Sequence, residues 1–461
     1  MKNTTSVQDA TSRGSFAGRL GFVLAAAGSA VGLGNLWKFP YLTYRHGGGS
    51  EGSGAGAFVL IYLAAVLLIG APVMLAEIFL GKKTGLNPVG AFRSLRPKGG
   101  WKFVGGLGVA TGFVLLSYYS IVAGWTVQYV IYAVTGALSG DADTSGSLFT
   151  GFLASPSRQI GFHAAFMGMT IAVIVGGVSK GIERWTKMLM PVLLGILAVL
   201  TVRSLTLPGG SRALTFLFYP DFSAINRGLV LEAVGQAFFS LSLGMGAIIT
   251  YGSYMKREER IGPAAVSVVL LDTLVALMAS IIVFGSIFSF NLSMDSGGIG
   301  NLFTTIPVIF SKIPAGALLL IMFYLLIMFA ALTSTVSLLE TVSAYFIDEL
   351  GMNRKKAAAL SGGAIFALGI PSALSFNLMA DATLGGRTFF DWMDYFCANI
   401  SLPLGGLGVA LFVGWALTQR EVEGELGSEV LTKAWRFSLR YLAPVAILAV
   451  TLGMLFGGVD A

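Results

Sequence analysis

Long apolar runs recur along this sequence, nearly free of charge and long enough to cross a bilayer, which takes roughly 20 residues of helix. Of the 461 residues, 55% are hydrophobic and 11% are charged. Soluble domains carry about a quarter charged residues, so a soluble chain of this composition would lack the polar surface to cover itself. Lipid offers the backbone no hydrogen-bond partners, which leaves helices or a closed barrel. A barrel would alternate over segments of about ten residues; these runs are continuous, and the expected class is an all-α polytopic membrane protein. The net charge of +7 is spread over short loops, which excludes a nucleic-acid surface. The single cysteine, Cys397, rules out an internal disulfide and reads as an apolar core residue. The polar stretch Met1 to Ser15 is not expected to be a cleavable signal.

The runs predict eleven spans, at about 16–44, 56–82, 103–137, 160–179, 186–207, 229–254, 263–290, 315–349, 356–373, 389–417 and 434–457. Most of the 30 Lys and Arg residues fall on one side: Lys82 through Lys102, Lys180 to Lys187, Lys256 to Arg260, Arg354 to Lys356, and Arg420 to Arg440. The excess marks that side as cytoplasmic. The N-terminus is then inside and, with eleven spans, the C-terminus outside.

Two spans are unusual in the same way. The first contains Gly28-Ser29-Ala30-Val31-Gly32-Leu33-Gly34-Asn35 and the sixth Ser240-Leu241-Ser242-Leu243-Gly244-Met245-Gly246. Glycine costs about 1 kcal/mol against alanine inside a helix. One such span reads as close helix packing; two, five spans apart, predict interrupted helices in corresponding places of an inverted repeat, with a site at the midplane. The expected organisation is one transporter domain over 1–461: a tail (1–15), a first repeat (16–207), a second repeat (229–417) and an added helix (434–457). An unwound stretch frees carbonyls for an alkali cation, and a half-helix N-terminus frees N–H groups for a carboxylate. Two further features fit a cation: Ala330-Ala331-Leu332-Thr333-Ser334-Thr335 in the eighth span, whose hydroxyls otherwise bond back to their own helix, and Asp272 in the apolar run from Val266 to Ala276. An unpaired carboxylate there is costly and marks function. Glu77 and Glu340 lie nearer the inner helix ends and read as structural.

At this point the residues resemble the neurotransmitter:sodium symporter family, especially its bacterial hydrophobic amino acid transporters. Arg19-Leu20-Gly21, then Ala30 through Tyr41 with Gly47-Gly48-Gly49, is similar to the family's first helix; Ala233 through Gly244 resembles its sixth, and Leu332-Thr333-Ser334 its eighth. The resemblance runs from about residue 13 to 457. It implies five-plus-five inverted repeats and alternating access in the plasma membrane, with an amino acid as substrate, lipid as surroundings, a functional monomer and two Na+ ions. One sodium site would use Ala30, Asn35, Ser240 and Asp272 with the substrate carboxylate; the other Gly28, Val31, Ala330, Thr333 and Ser334. Substrate binding would involve Ser29, Ala30, Leu33, Gly34, Tyr119, Phe239, Ser240, Ser242, Met245, Ser334 and Leu338, with Phe239 as the lid. The outer gate would be Lys38 with Asp394; the inner gate Arg13 with Asp348, supported by Phe16, Ser253 and Tyr254.

Some positions depart from the family pattern. Gly32 stands where monoamine carriers have Asp, which favours amino acids. Met245 replaces a bulky aromatic, and a flexible thioether predicts breadth over Leu, Ile, Met, Phe, Tyr and Trp. Lys38 replaces Arg and loses its two-pronged grip; Phe16 replaces Trp and loses a donor. The Ser50 to Gly56 loop looks like an insertion. Ala276 and Asp272 occupy places where chloride-binding relatives have Ser and Asn, while Tyr62, Gln236 and Ser240 match the other chloride-site members. The Asp272 carboxylate is then expected to supply the charge that chloride supplies elsewhere. The reading is a sodium-coupled symporter of hydrophobic L-amino acids, chloride-independent. A sensor that binds without transporting is the alternative. An enzyme is not expected: His46 and His163 look isolated, and no metal-ligand spacing or nucleophile elbow occurs.

Overall fold

The computed structural model describes residues 14–49, 52, 54–138, 142–294 and 298–456. Arg13, three residues of the Ser50 to Gly56 insertion (Ser50, Glu51 and Ser53) and the closing residues lie outside them. Among the described residues the chain is helical throughout, with a lone antiparallel bridge, Leu384 to Arg387, in the loop that precedes Phe389.

Nine helices are long and apolar enough to cross a membrane, and the bent pair Arg19–Ala30 and Gly34–His46 (54°) makes a tenth span. We call this pair α1. There follow α2 (Gly56–Thr84), α3 (Lys102–Val134), α4 (Pro156–Val175) and α5 (Val178–Leu205). The helices Arg227–Ser240 and Ala247–Ser253 are interrupted by a longer break and together form α6. The rest are α7 (Ile261–Phe290), α8 (Gly316–Leu350), α9 (Arg354–Leu374), α10 (Phe389–Ala416) and α11 (Glu429–Met454). Ten of the eleven expected spans begin within about five residues of these bounds. α5 begins further upstream, because its first turns are a wide π-type stretch, Val178–Glu183, rich in polar residues.

The two interrupted helices lie at the centre. α1 packs against α5, α6, α7 and α8, and α8 runs along α3. Where α1 and α6 pass close to their neighbours, side chains are excluded. A Cβ on Gly244 would lie 2.2 Å from the Leu402 carbonyl oxygen, and one on Gly81 2.0 Å from that of Ile249. This close backbone approach is what small residues allow in lipid, where apolar surface gains nothing by burial.

Candidate functional site

α1 stops because Val31 turns extended (ψ 109°), and the chain resumes helically at Gly34. The turn needs Gly32: a Cβ there would sit 2.8 Å from Ser334 Oγ and 3.1 Å from the Tyr119 hydroxyl. α6 breaks over 241–246, where Ser242 (φ 55°), Gly244 (82°) and Gly246 (75°) adopt left-handed conformations. For Ser242 this is strained, and a bond across the site compensates: its hydroxyl donates to the Ser29 carbonyl at 2.8 Å. The Gly244 N–H donates to Glu77 at 2.7 Å. The two breaks therefore face and hold each other.

Two groups of oxygens flank them. In the first, the Asn35 amide nitrogen donates to Asp272 Oδ1 (2.7 Å) and lies 3.0 Å from Ser240 Oγ, while Ser240 donates to Asp272 Oδ2 at 2.6 Å. The Asn35 side-chain oxygen accepts from the Gly32 N–H at 3.1 Å. Tyr62 reaches Ser240 Oγ at 3.4 Å, and Gln236 donates to the Gly34 carbonyl at 3.1 Å. Asp272 is fully buried, and among the described residues no Lys, Arg or His pairs with it. In the second group, Ser334 Oγ lies between 3.1 and 3.4 Å from the carbonyl oxygens of Gly28, Ser29, Val31 and Ala330. Thr333 Oγ1 is 3.0 Å from the Ala330 carbonyl. One hydroxyl proton cannot serve four acceptors. Both donor sets, a neutral-capped carboxylate and converging carbonyls with hydroxyls, fit a hard monovalent cation.

Between the breaks lies a small cavity of about 40 Å³. Ser29, Ala30, Leu33, Gly34, Tyr119, Phe239, Ser242, Met245, Ser334 and Leu338 line it, whereas Ser240 lies behind it with Asp272. Gly32, Leu115 and Leu402 also line it and were not among the expected binding residues. Leu115 is one turn before Tyr119 and shares its face, a signal the sequence contained; nothing in the sequence singles out Leu402. The Leu33 N–H meets the Tyr119 oxygen at 3.3 Å. Phe239 and Leu402 also border a second small cavity of about 50 Å³ beyond them.

The ends of the path differ. On the far side of Phe239 no ion pair joins Lys38 to Asp394: the Lys38 ammonium lies 5.0 Å from the centre of the Phe239 ring, and Asp394 adjoins Tyr118. The expected outer gate is therefore apart in this structure, because the ring face competes for the ammonium. At the other end Phe16 is buried edge-on against Phe22, Tyr251 and Tyr254, and its N–H donates to the Tyr254 carbonyl at 3.0 Å. The Tyr254 hydroxyl donates to Glu340, which also accepts from Arg354 at 2.9 and 2.7 Å. Asp348 accepts from the Asn87 backbone and side chain. Ser253 turns back on the Thr250 carbonyl. Glu183 and Lys256, unforeseen from sequence, hold the start of α1 through Ala17 N–H and carbonyl. His46 is not isolated: its ring lies 2.9 Å from Glu232. His163 is buried inside α4, between Ser120 and the Phe366 carbonyl. Spacing alone could not reveal either partner, since both are distant in sequence.

Two broken helices five spans apart, facing each other across an internal cavity flanked by oxygen ligands, define a secondary transporter rather than an enzyme. The chain belongs to the sodium:neurotransmitter symporter family, whose model matches residues 13–145 and 159–457. It is 36% identical over 446 residues to an uncharacterized sodium-dependent transporter of Bacillus subtilis (strain 168), covering 95% of this chain and 97% of the relative. A sodium-dependent neutral amino acid transporter of Rattus norvegicus, B(0)AT3, is 29% identical over 319 residues, covering 60% and 48%. The crystal structure of MhsT in complex with L-phenylalanine is similar in fold (TM-score 0.88) and 45% identical, covering 95% of this chain and 99% of that one. The protein is thus a sodium-dependent, multi-pass membrane transporter with inverted repeats.

Proposed function

We propose that the protein takes up hydrophobic L-amino acids with sodium by alternating access, with breadth over Leu, Ile, Met, Phe, Tyr and Trp. The carrying observation is the cavity between the breaks. One end presents the Tyr119 hydroxyl and backbone of the α1 break; the other presents Leu115, Phe239, Met245 and Leu338, and among the described residues no carboxylate lines it. A zwitterion suits this polarity: its carboxylate meets Tyr119 and the N–H groups, and its side chain the apolar end. The phenylalanine held by the similar MhsT structure supports a pocket that admits aromatic side chains.

Two sodium ions belong to the reading. The first would be held by the Ala30 carbonyl, Asn35, Ser240 and Asp272 with the substrate carboxylate; the second by the Gly28, Val31 and Ala330 carbonyls and the Thr333 and Ser334 hydroxyls. Ions and amino acid then share ligands on α1, α6 and α8, so filling the site ties these elements together. Closure of Lys38 onto Asp394 above Phe239, and release of Arg13, Asp348, Phe16, Ser253 and Tyr254 below, would complete the cycle. The repeats (16–207 and 229–417), the added helix and an N-terminus on the cytoplasmic, basic side are part of the same proposal. Asp272 makes chloride unnecessary, and Ala276 offers chloride no hydroxyl.

The test is uptake of labelled leucine and tryptophan into proteoliposomes under an inward sodium gradient against a potassium gradient. Uptake with sodium alone, unchanged when gluconate replaces chloride, is the expected result. Sodium-dependent binding without uptake would indicate a sensor; uptake indifferent to sodium would overturn the ligand assignment.

A further inference from the structure

A third cavity lies away from the transport path. It is a groove of about 460 Å³ between the first turns of α3, Val89 and the last turns of α8. Gly106 and Ala110, one helical turn apart, form its floor, and a Cβ on Gly106 would meet no atom within 4 Å. Phe103 and Tyr345 stand on opposite walls, and Phe103 is 71% exposed. Exposure on a membrane helix is exposure to lipid. A groove so apolar gives water no partners, and what the bilayer supplies in its place is an acyl chain.

Its rim carries one charge. Lys102, the first residue of α3, is the sole charged side chain in the lining among the described residues. Its ammonium stands 5.3 Å from the centre of the Phe103 ring, and among the described residues no carboxylate is within ion-pair distance of it. Of the nearby cations, Arg93 pairs with Glu349 and Arg96 with Glu421, and Lys98 is not in the groove lining. Lys102 therefore offers an uncompensated positive charge where a helix leaves the apolar layer, the depth of lipid phosphates, and lysine reaches such a depth by extending its stem along apolar surface.

We infer that this groove holds one phospholipid, its acyl chain lying over Gly106 and Ala110 and its anionic headgroup paired with Lys102. The inference is independent of the substrate. To test it, the full chain is purified in detergent, stripped of lipid, and titrated with phosphatidylglycerol or phosphatidylcholine under native mass spectrometry. One phosphatidylglycerol should be retained per chain, more tightly than phosphatidylcholine. Lys102→Gln should weaken its retention about fivefold, the worth of one lysine near an anionic surface. Gly106→Leu fills the floor and should remove the retained lipid while leaving the melting temperature unchanged; Ala110→Leu serves the same purpose if that variant does not fold. Equal retention of both lipids, untouched by these substitutions, would mean only a surrounding lipid shell and would overturn the inference. So would displacement of phosphatidylglycerol by inorganic phosphate alone, or cross-linking of two chains through Cys introduced at Phe103.

Discussion

The Asn35 amide nitrogen donates to Asp272 Oδ1 at 2.7 Å where both side chains are fully buried, and the Ser240 hydroxyl occupies the other carboxylate oxygen at 2.6 Å. Neutral donors lower the cost of a buried carboxylate but do not cancel its charge. Contrast Glu340, equally buried but paired with Arg354 at 2.7 Å. A permanent ion pair suits a structural joint. The proposed sodium site at Asp272, which would take up and give up a cation in every cycle, has no such fixed counter-ion among the described residues, as that role would require.

Asp272→Asn retains the shape and hydrogen-bonding reach while removing the charge. Sodium-driven uptake in chloride-free medium should fall about tenfold or more, corresponding to ~1.4 kcal/mol or more of lost ion affinity. Adding Ala276→Ser should make the residual uptake respond to chloride. Full activity of Asp272→Asn without chloride would remove this carboxylate from the ion site.

Thr333→Val is nearly isosteric and deletes one hydroxyl beside the Ala330 carbonyl. A bond to a charged partner is worth about 1.5–3 kcal/mol. The sodium concentration for half-maximal substrate binding should therefore rise about tenfold, with little change in melting temperature. An unaltered sodium dependence would leave Thr333 as a helix residue bonded to its own backbone.

Gly32→Ala places a methyl 2.8 Å from Ser334 Oγ and 3.1 Å from the Tyr119 hydroxyl. Overpacking of this kind costs about 1–3 kcal/mol, here at the polar end of the cavity. Leucine binding, followed by scintillation proximity, should weaken about thirtyfold. Wild-type affinity would show that substrate does not use this end.

The sequence carried the fold because lipid leaves few options: apolar runs and paired glycine-rich breaks were enough to set the spans. Ser29, Ser242 and Met245, beside the breaks, were named as pocket residues through the family resemblance, and they line the cavity between the breaks. Leu402 was not, because an apolar residue on α10 looks alike whether it faces lipid or substrate. The state of the proposed Lys38 and Asp394 gate was also beyond reach, as its residues would both meet and part during transport. His46 and Glu232 are 186 residues apart, and their contact exists only once α1 and α6 are assembled.

A last prediction concerns the basic end, outside the spans. Arg96 donates to both carboxylate oxygens of Glu421 at 2.8 and 2.7 Å, and the Thr418 backbone and hydroxyl add two more donors. These bonds, Arg96 first, hold the Glu421 carboxyl down from 4.5 to about 2. A carboxyl depressed on folding contributes stability that is present above its ordinary value and lost as pH falls from 4.5 through about 2. Both side chains are close to a third exposed, so solvent screens the pair to about 1 kcal/mol. Glu421→Gln should lower the melting temperature of the detergent-solubilised protein by about 1–2 °C at neutral pH, and this deficit should close as the pH is taken below 4.5. A deficit that stays constant across that range would mean that Glu421 stabilises the loop by packing and capping, not by its charge.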